Sequence, residues 1–112
     1  MPQYAVMIHS PAPADPMELS EEYVALLDAY QGQVTELGGK IITGFALQPS
    51  TTAISIRGDL VTDGPFVEAK EVMAGFFILE APDLSTALRI AKLNPATREG
   101  GVEVRPLFEP PA

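Results

Sequence analysis

His9 is the sole histidine of the chain, and few other residues could join it in moving a proton or holding a charged ligand. They are Asp63 in the run Asp63-Gly64-Pro65-Phe66, Glu68 with Lys70-Glu71 just beyond it, and Glu103 with Arg105 near the C-terminus. An imidazole can take a proton near neutral pH, and a carboxylate beside it can orient the ring or act as the base itself. Such chemistry needs no cofactor. Cysteine is absent, which excludes disulfides, thiolate metal sites and cysteine nucleophiles. The chain also lacks a His/carboxylate cluster at metal spacing, a phosphate loop, a dinucleotide fingerprint and a serine nucleophile elbow. No metal and no cofactor are expected, and any catalysis would be proton transfer with His9 or a carboxylate as base.

Each of these residues also has a plainer explanation. His9 is either a base in a pocket or a strand-end residue bonded to backbone or water. Asp63 is a catalytic candidate, but its turn chemistry favours a structural role, with the carboxylate bonding the amides two residues on. Glu68, Lys70 and Glu71 form a solvated charge cluster, or a loop that presents Glu68 inward as a ligand-binding residue. Glu103 and Arg105 alternate with Val102 and Val104, so the charged pair shares the face opposite the valines. Arg105 would then bind a carboxylate ligand, or pair with Glu103 or with a partner subunit. Tyr23 and Tyr30 lie on a helical apolar stripe and are assigned to the core.

The elements that must position these residues follow from periodicity and punctuation. Tyr4 to His9 is a short apolar run expected as a buried strand. Leu19, Tyr23, Leu26 or Leu27, Tyr30, Val34 and Leu37 recur at helical spacing. Ser20 is the N-cap, with Asp15-Pro16 a competing start one turn earlier, and Gly38-Gly39 the stop. Lys40 to Leu47 is a second strand. Thr51 to Arg57 and Leu60 to Thr62 form a hairpin around Gly58-Asp59, running into the Asp-Gly-Pro turn. Val72 to Glu80 is expected at the centre of a sheet. Asp83 caps a second helix with buried Leu84, Ala87, Leu88 and Ala91, and Asn94-Pro95 stops it. Val102 to Phe108 is a last strand, placed at an edge by Pro106.

The order is β-α-β, a hairpin insert, then β-α-β: an α+β ferredoxin-like βαββαβ plan, one antiparallel sheet with both helices on one face. That layout brings His9, Gln48, Asp63, Glu68, Asn94 and Glu103 to one end of the domain, where a pocket would form. The other sheet face, carrying Ala5, Met7, Gly75 and Phe77 or their alternate neighbours, must be covered, and a second copy is the simplest cover.

Length and charge narrow the partners. The 112 residues make a single domain over 1–112, and an apolar fraction of 46% argues against disorder. A formal charge of −8, with the basic residues scattered, disfavours nucleic acid. Met1-Pro2-Gln3-Tyr4 has no signal-peptide character and no apolar run reaches membrane-span length, so a soluble cytoplasmic protein is expected.

With the Asp-Gly-Pro-Phe turn, Glu68, Lys70-Glu71 and Gly75-Phe76 in place, the chain resembles the YCII-related (DGPF-domain) family. The resemblance extends through Leu37-Gly38-Gly39, Gln48-Pro49, Pro82-Asp83-Leu84 and the closing run Gly100 to Pro106. It implies a dimeric α+β barrel, two ferredoxin-like sheets face to face, in small bacterial proteins of mostly unassigned activity. Some members are linked to extracytoplasmic-function sigma factors, which implies a regulatory or interaction module as the alternative to a ligand-binding or enzymatic domain. The better-studied branch carries a His–Asp pair, the His on the first helix and the Asp before a proline after the second. Here the first helix has no histidine and the second position reads Asn94-Pro95, so that dyad does not carry over.

Overall fold

Alternating apolar residues build the first strand, β1 (Gln3–Pro11), with Tyr4 and Val6 buried on one face. The computed structural model describes residues 1–66 and 69–111. Both candidate starts of the first helix are used, in series. The Asp15 carboxylate accepts from the Met17 amide at 2.9 Å and begins a single 3-10 turn, Pro16–Glu18. Ser20 Oγ then accepts from the Tyr23 amide at 3.1 Å and opens α1 (Glu21–Glu36). Gly38 takes φ +86°, and the Gly39 amide donates to the Val34 carbonyl, which closes the helix through the left-handed conformation that suits glycine.

Strand β2 (Lys40–Ala46) follows, then the hairpin β3 (Ile54–Arg57) and β4 (Leu60–Asp63), which forms its own two-stranded sheet. The expected strand start at Thr51 is corrected, because Ser50–Thr52 make a 3-10 turn. Thr52 Oγ1 donates to the Pro49 carbonyl at 2.7 Å, a local bond that competes with strand pairing. Next come β5 (Glu71–Glu80), α2 (Leu84–Lys92), a capped 3-10 turn Pro95–Arg98, and β6 (Gly101–Pro106). The last strand stops at Pro106, short of the expected Phe108, which is left largely exposed.

The four-stranded sheet has the order β2-β5-β1-β6 and is antiparallel throughout, the ferredoxin-like α+β plan with β5 central and β6 at an edge. The core lies on the helix side, where Tyr4, Val6, Phe77 and Leu79 meet Tyr30 and Val34 of α1 and Ala87 and Ile90 of α2. The Tyr30 hydroxyl donates to the Ile90 carbonyl at 2.8 Å and ties the two helices together.

Two face assignments are corrected by the register. Tyr4 pairs with Leu79 and Val6 with Phe77, so Phe77 and Gly75 belong to the helix side, while Ala5, Met7, Phe76 and Ile78 form the open face. On α2 the buried stripe is Ala87, Ile90 and Ala91, with Leu84 and Leu88 turned outward. Both sets satisfy helical spacing. The two alanines let α2 approach the sheet closely, and Ile90 fills the gap that remains.

Candidate functional site

The apolar stripe of α1 is buried over only half its length. Tyr30 and Val34 are sealed into the core, whereas Tyr23, Leu26 and Leu27 are half-buried and Leu19 is exposed. Beneath the N-terminal half, the sheet offers almost no side chains to meet the helix. Gly44 pairs with Phe77 and Ala46 with Gly75, and paired residues share a face, so Gly44, Ala46 and Gly75 form a low floor. A Cβ on Gly44 would stand 2.8 Å from Phe77 Cβ, and one on Gly75 would stand 2.5 Å from the Phe45 carbonyl oxygen. The result is a cavity of about 650 Å³ between helix, sheet and the segment leading into α1. Tyr23 therefore lines a cavity wall rather than sitting in the core as expected from its spacing.

The segment that closes this cavity is held in place. The Ala12 amide donates to the Lys70 carbonyl, and the Ser50 amide to the Pro13 carbonyl, each at 2.8 Å. Inside, Asn94 is buried and its Oδ1 accepts from the Ala96 amide at 2.9 Å, so the residue caps the turn after α2 while lining the cavity. Burial pushes the Tyr30 hydroxyl up to about 12, partly offset by the Asn94 amide beside it. Tyr23 is raised by burial and by the Glu99 carboxylate. Both phenols are thus neutral, suited to hydrogen bonding rather than to acting as bases. Among the described residues the Tyr23 hydroxyl makes no hydrogen bond.

His9 lies on the other side of the sheet. It pairs across the strands with Gly101, and Glu103 is its diagonal neighbour on the same face. His9 Nε2 approaches Glu103 Oε1 to 2.8 Å, yet without hydrogen-bond geometry, so the contact is one of charge and proximity. Lys70 and Glu71 complete this shallower hollow of about 490 Å³. A side chain at position 100 would collide with the His9 carbonyl oxygen, so Gly100 lets the turn before β6 pack directly on the end of β1.

The residues expected at one mouth are therefore divided. His9 and Glu103 come together, while Asn94 lines the cavity on the opposite side. Gln48 is exposed beyond β2 and lines neither space. Arg105 lies opposite Ala5 on the open face, with no carboxylate within 4.0 Å among the described residues, because Glu103 turns to His9. Glu68 falls outside the described residues. Asp63 is exposed at the end of β4, and its carboxylate makes no hydrogen bond among the described residues. The amide two residues on is that of Pro65, which has no N–H to give. The turn is held instead by the Gly64 amide on the Ala53 carbonyl at 2.7 Å and by Ser55 Oγ on the Gly64 carbonyl.

Sequence reasoning passed over the cavity itself, with Tyr23, Glu99 and the glycine floor. The available signal was Gly44 and Gly75 inside strands, where glycine marks a close approach of backbone or ligand. Among the described residues no cluster of three or more His, Asp or Glu could hold a metal, and no helix is long and apolar enough to cross a membrane.

Comparison with known proteins places the chain in a family. An uncharacterized protein of Rhizobium meliloti (strain 1021) is 37% identical over 98 residues, covering 80% of this chain and 77% of that protein. The model of the YCII-related domain matches residues 4–110. The chain belongs to the YCII-related family.

Proposed function

We propose that this protein binds a small organic molecule in the cavity between α1 and the sheet. The observation that carries the reading is the cavity itself. Its volume of about 650 Å³ falls within the usual span of ligand pockets, and it combines apolar walls with a few polar groups: Asn94 and Tyr30, each held by a hydrogen bond, and the Tyr23 hydroxyl, unbonded among the described residues. The raised pKa of both phenols keeps them protonated, which suits them to binding and orienting a ligand. Leu27→Trp, which places an indole in the cavity, is expected to abolish ligand-induced stabilisation in a thermal-shift screen. A ligand present at a hundred times its Kd would raise stability by about 2.7 kcal/mol, a shift of several degrees. A screen in which hits stabilise wild type and Leu27→Trp equally would contradict the reading.

A second reading rests on the His9–Glu103 contact: cofactor-free proton transfer on the open face, with Glu103 positioning the ring. In that reading a second copy of the chain covers Met7, Phe76 and Ile78, and the pair comes to lie in the resulting cleft. His9→Ala would then remove turnover and leave binding in the helix-side cavity intact. The sigma-factor-linked alternative has its natural surface on the hairpin, where Ile54, Ile56 and Val61 are exposed on one face.

A further inference from the structure

We infer that the ligand of the helix-side cavity is an organic cation with an apolar or aromatic body, an inference that rests on the binding role proposed for that cavity. The ionised groups that line it are the carboxylates of Asp15, Glu18 and Glu99; no Lys, Arg or His stands among them. Asp15 is half-buried, while Glu18 and Glu99 are exposed. Asp15 is fixed as a cap by its bond to the Met17 amide, and the Glu99 carboxylate adds to burial in holding the Tyr23 hydroxyl protonated. Two aromatic residues, Tyr23 and Phe77, line the same cavity, and aromatic rings attract organic cations. The N-terminal end of α1 would by itself favour an anion, but Glu21 and Glu22 in its first turn oppose that field. An overall charge of −8 adds attraction at long range.

A ligand of this class places its ammonium at the carboxylate rim and its hydrocarbon body over Gly44, Ala46 and Gly75. The glycine floor admits a flat ring where any larger side chain would fill the space. A phosphate or carboxylate ligand would meet three negative charges without a compensating cation.

The test uses three near-isosteric probes, 2-phenylethylammonium, 2-phenylethanol and phenylacetate, titrated calorimetrically into wild type, Glu99→Gln and Leu27→Trp. The cation is expected to bind about tenfold tighter than the alcohol, with the carboxylate weakest. Glu99→Gln, a change at an exposed position, should weaken the cation roughly threefold and leave the alcohol unchanged. Leu27→Trp should remove all three. Equal or tighter binding of the alcohol or the carboxylate, still lost in Leu27→Trp, overturns the cation assignment and leaves the cavity reading standing. Binding that survives Leu27→Trp, or no saturable binding of any probe, overturns both.

Discussion

Tyr30 carries two jobs that can be separated by measurement. Its ring packs edge-on against Phe77, with centroids 6.2 Å apart, and its hydroxyl joins α1 to the Ile90 carbonyl of α2. Tyr30→Phe keeps the packing and removes the bond, so a loss of about 1 kcal/mol is expected, read as a fall of roughly 4 °C in Tm. The same residue sets an alkaline limit. Burial raises its pKa in the folded state from 10.0 to about 12, so the unfolded chain loses this proton first. The stabilisation is therefore complete below pH 10 and is lost as pH rises through about 12, a decline on the order of 2 kcal/mol. Urea titrations across that window should show the decline in wild type and a flatter profile in Tyr30→Phe. His9 was legible as a candidate because no other histidine competes with it. Its proximity to Glu103 was only half legible, since strand alternation set the face of Glu103 while the register that makes them diagonal neighbours arises from pairing between distant segments.

At the scale of elements, the cavity exists because α1 stands off the sheet where the strands present Gly44, Ala46 and Gly75. Filling that floor should be costly where backbone is the obstacle. Gly75→Ala is expected to destabilise by about 1–3 kcal/mol, since its Cβ would press on the Phe45 carbonyl. The rotation of α2 gives a second, independent check. Ile90→Ala should cost about 2–4 kcal/mol and Leu88→Ala less than about 1, both by urea denaturation, because Ile90 is fully buried and Leu88 is 43% exposed. The six strands, the two α-helices and their order were readable, as were the caps Ser20 and Asp83, whose side chains accept from Tyr23 and Thr86 amides, whereas the 3-10 turns Ser50–Thr52 and Pro95–Arg98 were not. The buried side of α2 was not, because two overlapping stripes have equivalent spacing and only tertiary packing chooses between them. The half-buried state of α1 was hidden for a related reason. Apolar periodicity shows which face of a helix seeks cover, but the depth of cover is set by the side chains opposite, here glycines and an alanine on strands distant in sequence.

The whole molecule is a plate, with extents of 45 × 43 × 19 Å and a Cα radius of gyration of 15.4 Å. A compact chain of this length would have a radius near 13 Å. Its open sheet face carries Met7, Phe76 and Ile78, with Phe45 beside Phe76 at a ring separation of 5.9 Å and 61% exposed. We propose that a second copy of the chain covers this face, so light scattering at low micromolar concentration is expected to give twice the chain mass. Phe45→Glu should shift that value toward the monomer with little effect on secondary structure, while a wild-type monomer would contradict the pairing. Covering the open face leaves the helix-side cavity untouched, because the sheet separates them, so ligand binding and dimerisation should vary independently. Where the ligand sits can be read directly by methyl-resolved NMR titration with 2-phenylethylammonium. Saturable shifts are expected at the methyls of Ile8, Leu27 and Ile41, which line the cavity, with Ile78 on the open face unmoved. Shifts confined to Ile78 and Met7, or the absence of any saturable shift, would contradict a ligand site in the cavity.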